Sequence, residues 1–377
     1  SGALERFVEG LEARADAAPP RMAARIALYL GVNAGLLPKG LRPKAAELRE
    51  LHRRAAAWFE EKGALEDAFR SFVESGDEAP LARFLAERGE ELLSRGFIEP
   101  VIRAGDALSP AARSSRVEEI IGEAHSLVGD WDEALACYQR AAGDAETLPP
   151  GLAWRTGRLY WDRGMLEEAA AVFARGRVDG SDPEQEALLL AWMTSPYWSS
   201  GDIARARELA EQALDAATIS GSPRALAAAH NAVGLNHLGR DNILFERHMA
   251  SALEAAEAAG DVLQIVRFTI NRCGPAEPKD TIEWLGAAIS LAELAGAGLY
   301  LARGLNARGE NYLALGRFDD AVADFRRALS LWEQHGSVRR AWALMSLASV
   351  ARQRGDLAYA RAAYEEALEA SEDAEGL

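Results

Sequence analysis

The sequence predicts an all-α chain, a right-handed superhelix built from roughly eight or nine helical hairpins. Three observations lead there. Apolar residues recur at helical rather than strand spacing. Glycines punctuate the chain at near-regular intervals. Around each of these glycines the same residue types return at the same offsets. The stretch Gly304 to Gly336, GLNARGENYLALGRFDDAVADFRRALSLWEQHG, shows all three. Its first helix carries Leu305, Gly309, Tyr312 and Leu313, and its second carries Ala321, Val322, Phe325, Ala328, Leu329 and Trp332. Both sets follow the three-four-seven spacing of an apolar helix face. The turn falls at Gly316.

Counted from Gly316, small residues sit seven before and five after, and an aromatic nine after. Small residues let two helices approach, and a large ring on one fills the gap on the other. Around Gly355 the counterparts are Ala348, Ala360, Tyr364 and Ala367; around Gly164, Gly157, Tyr160, Ala169 and Phe173. Around Gly129 they are Gly122, Ala134, Tyr138 and Ala141; around Gly63, Ala56, Phe59, Ala68 and Phe72. Gly201 has Tyr197, Ala206 and Ala213, with weaker copies near Gly96, Gly239 and Gly274. This pattern resembles the tetratricopeptide repeat, whose period is about 34 residues. The turns Gly129, Gly164 and Gly201, and then Gly316 and Gly355, are 35, 37 and 39 residues apart.

Residues 1–43 lack the offsets. They read as a helical cap or the remnant of a preceding domain, with the repeat array over 44–377. Pro19-Pro20 stops a first helix, and GLLPKGLRP at 35–43 is turn-rich. Ser1-Gly2 reads as an expression remnant, so an excised region of something longer is expected.

Composition narrows the function. The chain has 377 residues, 49% apolar and 27% charged, with net charge −16. An acidic body argues against direct nucleic-acid binding. No apolar run is long enough to span a membrane. Cys137 and Cys273 form neither a disulfide framework nor a metal spacing, which points to a reducing cytoplasm. The six histidines contain no H-E-x-x-H, and His230 and His237 lack a ligating partner at the right spacing. Acidic pairs such as Glu167-Glu168 and Asp319-Asp320 fall early in second helices, where they suit the helix dipole. No catalytic, metal or cofactor constellation is expected, and the chain reads as a binding protein rather than an enzyme.

A second resemblance covers residues 47 to 377. ELRELHRRAAAWFEEKG, a helix with Ala68, SGD, and a helix ending GEELLSRG is similar to the junction after the nucleotide-binding part of MalT-like regulators. These are STAND-class ATPases, many ending in a LuxR-type DNA-binding domain. Second helices also share a long ending of the form A-L-x-x-A-x-x-x-G, at Ala213 and Ala252 and in looser copies at Ala288, Ala328 and Ala367, the last one residue longer. The resemblance implies the sensor region of a transcriptional regulator. A small inducer, a saccharide among the candidates, would then bind in the groove, beside an adjoining ATPase domain outside this chain. The sequence itself has no G-x-x-x-x-G-K-[ST] loop and no basic helix-turn-helix.

In tetratricopeptide arrays the first helix of each hairpin lines the concave groove, about 13, 10, 6 and 3 residues before the turn. Near Gly164 this selects Trp154, Arg158 and Trp161, spaced to share one face. Near Gly201 it selects Trp198, with Trp192 beside it. Near Gly316 it selects Arg303, Asn306 and Glu310, and near Gly355 it selects Trp342. Asn231 takes the place of Asn306 in the shorter hairpin at Gly239. Clustered aromatics with a few charged and amide groups suit a small ligand. Two occupants stay open: a small effector, or a peptide or protein partner. A lone Trp154 or Trp342 also reads as a packing residue, and the Arg303-Asn306-Glu310 set as a surface stripe.

Overall fold

The computed structural model describes residues 45–273 and 277–375. The expected cap over 1–43 and the turn at Gly274 lie outside the described residues. Among the described residues there are eighteen α-helices in succession and no strand. A single parallel bridge joins Leu148 and Gly176. The helical-repeat architecture expected from the sequence is the one found.

The described residues divide into two compact units, one within 45–92 and 103–120, the other within 93–102 and 121–375. The first is described through α1 (Ala45–Glu61), α2 (Leu65–Ser75), most of α3 (Glu78–Ser94) and the later part of α4 (Ile98–Asp106). It also holds the 3-10 turn Pro110–Ala112 and the start of α5 (Ser115–Val128). Ala56 and Ala68 are fully buried, which lets α1 and α2 approach closely. Phe72 packs on Phe84 with ring centroids 4.9 Å apart. Arg83 holds Glu60 by a two-pronged pair at 2.8 and 2.9 Å.

The second unit continues with α6 (Trp131–Ala142), α7 (Pro150–Asp162), α8 (Leu166–Ala174), α9 (Pro183–Ser200) and α10 (Ile203–Ser220). Then come α11 (Pro223–His237), α12 (Asn242–Ala259), α13 (Val262–Arg272), α14 (Pro278–Ala295), α15 (Gly298–Ala314), α16 (Phe318–Gln334), α17 (Arg340–Arg354) and α18 (Leu357–Glu375). Helix starts are set by local chemistry. Asp182, Asp202, Ser222 and Asp261 each accept a hydrogen bond from the amide three residues on, satisfying a donor that the helix leaves open. Proline opens α7, α9, α11 and α14, where its missing N–H is harmless.

Hairpins interlock as their spacing predicts. A Cβ on Gly157 would collide with the Phe173 ring, and one on Gly309 with the Phe325 ring. Ala134, Ala169, Ala206 and Ala321 are fully buried. Hydrophobic packing is therefore repeated hairpin by hairpin.

The second unit also closes on itself. Residues 335–339, between α16 and α17, meet the turns that follow α5 and α7. The Trp131 indole donates to the His335 carbonyl across 204 residues of chain. Arg339 pairs with Asp162 at 3.3 Å. Gly129 and Gly164 have φ of +85° and +83°, and a Cβ on them would collide with His335 and Val338 respectively. Only glycine meets both demands at these two turns.

Candidate functional site

Closure leaves a cavity of about 240 Å³ on the inner side of the second unit. Six successive first helices reach it. Trp161 and Asp162 come from the end of α7; Trp192, Thr194, Ser195 and Trp198 from α9. Leu235 and Asn236 end α11, and Arg267 and Asn271 come from α13. Arg303 lies in the second turn of α15, Arg339 just before α17 and Trp342 in its first turn. The cavity thus sits against the late turns of α7, α11 and α13 and the early turns of α15 and α17.

Four indoles line the cavity. Trp192 is buried, Trp161 half-buried, and Trp198 and Trp342 are exposed at 46% and 45%. Large exposed rings facing a concavity are the features to explain, because buried ones are accounted for by packing. The Arg267 guanidinium lies 4.1 Å from the Trp192 ring centre, and Arg339 lies 4.7 Å from that of Trp342. These are stacking distances for a cation on an aromatic face. Arg303 donates to the Asn271 carbonyl oxygen at 3.1 Å, and Asn271 donates to Asn231 at 2.8 Å. Asn236 donates to the Ala232 carbonyl at 2.9 Å, and its own side-chain oxygen has no protein partner.

Of the residues expected in the groove, Trp161, Trp192, Trp198, Arg303 and Trp342 line the cavity. Trp154 and Arg158 do not. Both are buried, and α7 is flanked so closely at these positions that its inner face has become core. The Trp154 indole donates to Gln185 at 2.9 Å. Arg158 donates to Glu123 at 3.0 Å and to Ser126 at 3.1 Å. Glu123 also accepts from the Tyr138 hydroxyl at 3.2 Å and faces Arg155 at 3.8 Å. Burial and the Glu123 charge push the Tyr138 phenol well above its usual range. This charged cluster is structural. Asn231 is buried, accepts from Asn271 and does not line the cavity. Asn306 and Glu310 bond to each other at 2.9 Å and lie outside the cavity.

Sequence reasoning did not select Asp162, Asn236, Arg267, Asn271 or Arg339. A signal existed for two of them. Asn236 and Asn271 stand three before Gly239 and Gly274, the place that Trp161 and Trp198 take in stronger repeats. Asp162 and Arg339 belong to the closure, which no local pattern encodes.

Three of the histidines pack against one another. His230 and His248 bring their Nδ1 atoms to 3.1 Å, so one donates and the other accepts, and His237 stacks on His248. Among the described residues no group of three or more His, Cys, Asp or Glu is arranged to hold a metal ion. No helix among them is long and apolar enough to cross a membrane.

Fold and cavity together define a helical-repeat protein with an aromatic, arginine-bearing recess. Comparison with known proteins then gives the repeat its name: residues 122–184 and 300–373 match tetratricopeptide-repeat models. No curated protein matches. Among solved structures the chain is similar to the APC/C hetero-tetramer Cut9-Hcn1, with TM-score 0.55 and 14% identity over 93% of this chain and 65% of that one. It is also similar to a Rap protein complexed with Competence and Sporulation Factor, with TM-score 0.54 and 14% identity over 69% and 77%. A STAND protein with a tetratricopeptide repeat sensor from Pyrococcus horikoshii aligns at TM-score 0.48 and 13% identity, covering 86% of this chain and 52% of that one. At such identities the likeness is one of fold.

Proposed function

We infer that this chain is a recognition module that holds a segment of a partner protein on its inner face, with one group seated in the cavity. The carrying observation is the exposure of Trp198 and Trp342 at the rim of a recess shared by six helices. Aromatic and arginine side chains are the residues that most often dominate binding energy. The relatives of similar fold support a partner of this kind. One was solved with Competence and Sporulation Factor, another within a hetero-tetramer.

A second reading rests on the cavity's size. At about 240 Å³ it suits one small group better than a long segment. In that reading the array is the inducer sensor of a MalT-like regulator, acting on an adjoining ATPase domain. The junction at residues 47–96 and the long second-helix endings favour it.

The test is to pan a displayed library of random peptides, and separately to titrate a panel of oligosaccharides, against the chain. Trp198→Ala and Trp342→Ala serve as controls. Both rings are half exposed, so neither variant should unfold. Peptide capture lost in both variants supports the first reading, and saccharide binding lost in both supports the second. Binding that survives both places the site elsewhere.

A further inference from the structure

The charge of the cavity runs against the charge of the chain. The chain has 58 acidic and 42 basic residues. The cavity wall has three arginines and one carboxylate. That carboxylate, Asp162, is engaged by Arg339. Arg267 and Arg303 face no carboxylate at ion-pair distance among the described residues. Arg303 donates only to the neutral amide of Asn271. Arg267 lies on the rings of Trp192 and Phe268, at 4.1 and 5.2 Å. Burial pushes its guanidinium down to about 10; the positive charges of Arg303 and Arg158 push the same way, while Tyr300 and Asp162 push back.

Holding three guanidinium groups in a recess with a single carboxylate, already engaged by Arg339, opposes folding. A chain with a surplus of carboxylates could have placed one there. Elsewhere it does: Arg158 has Glu123, Arg308 has Asp324, and Arg83 has Glu60. A pair of cations in excess of the local carboxylates suits an anion. Guanidinium groups present paired donors that match the two oxygens of a carboxylate or phosphate.

We propose that the cavity takes an organic oxyanion, its carboxylate or phosphate at Arg267 and Arg303 and its planar or apolar body against Trp161, Trp198 and Trp342. Here the binding-site reading above is assumed, and the ligand's chemistry is added to it. Indole faces favour a flat or apolar body. The unpartnered oxygen of Asn236 calls for one donor on the ligand, an N–H or O–H. A neutral saccharide satisfies the rings and the donor but leaves both cations unbalanced. Two sources meet the requirement: the carboxy-terminal residue of a partner chain, or a free small acid.

The experiment follows tryptophan fluorescence, since four indoles line the site. One arm uses peptides ending in phenylalanine, with a free carboxylate or amidated. The other uses N-acetyl-phenylalanine against N-acetyl-phenylalaninamide, and phenyl phosphate against phenol. Each anion is expected to bind at least tenfold more tightly than its neutral counterpart. Arg267→Gln and Arg303→Gln are each expected to abolish that preference. Arg267 has no ion partner to orphan, so its variant should fold. A preference confined to the peptides assigns a chain terminus, and one confined to the small acids assigns a free ligand; either supports the proposal. Equal binding of anion and neutral compound overturns it while leaving the cavity a binding site. Silence of every probe overturns it together with the reading on which it rests. A preference that survives both arginine variants also overturns it.

Discussion

The Trp131 indole N–H points at the backbone carbonyl of His335, and Val338, three residues on, fills the space beside Gly164. One short segment therefore holds two turns of the chain that are far from it in sequence. Gly164 and Gly201 share a φ of +83°, but nothing lies within 4 Å of a Cβ on Gly201. Gly201→Ala should lose only the backbone term, about 1 to 2 kcal/mol. Gly164→Ala should lose that and the Val338 contact as well. Denaturation of the two variants measures the difference, and equal losses would mean that the closure contributes nothing.

The Glu123 cluster predicts a larger effect. Glu123 is buried and balances Arg158. Glu123→Ala leaves that guanidinium buried without its counter-charge, for a loss of about 3 to 5 kcal/mol. A urea titration should show a clearly lower midpoint. Glu123→Gln keeps the shape but not the charge and is expected to fall close behind.

Arg267 is expected to behave in the opposite way. Its variant Arg267→Met keeps the contact with Trp192 and removes a desolvated charge. The melting temperature should stay level or rise. A clear fall would show that the cation is held by something other than the two rings.

Ala321 tests the register of the repeat. It is fully buried, five residues past its turn. Ala321→Leu should force α15 and α16 apart, at roughly 1 to 3 kcal/mol. Loss of the helical signal at lower temperature in circular dichroism is the expected result.

Acid should destabilise the protein early. Burial lowers the imidazoles of His52, His230, His248 and His335 from the ordinary 6.5. The unfolded chain therefore binds more protons than the folded one just below that pH. Their contribution is complete above about 6.5 and is lost as pH falls through the folded values. Stability measured from pH 7 to pH 5.5 should decline over this window, before most carboxylates titrate. Removing the pair in His230→Gln/His248→Gln should flatten the decline.

The hairpins were legible because their chemistry is local. Gly157 with Phe173 and Gly309 with Phe325 stand at fixed offsets from a turn, and the packed pairs follow. The inner face was half legible. Positions three before a turn line the cavity in four consecutive hairpins, as Trp161, Trp198, Asn236 and Asn271. Six and ten before Gly164, Arg158 and Trp154 do not, because neighbouring first helices cover them, although Ser195, six before Gly201, does. Trp154 and Arg158 carried the right residue types for a ligand, yet Gln185 and Glu123 on the flanking helices claim them. Arg339 and Asp162 were out of reach of any periodicity. They meet only through the curl accumulated over the intervening hairpins.

That curl changes how the chain comes together in time. Hairpins stacked in an open row form independently and can melt one after another. The pairings of Trp131 with His335 and of Asp162 with Arg339 span 204 and 177 residues. Contacts so distant form late, after loop entropy has been met. On a growing chain, α5 to α7 wait with open turns until residue 339 has been made. Loss of the last hairpins would then reach back to the turns after α5 and α7, and this part of the array would fail as a ring does rather than piece by piece.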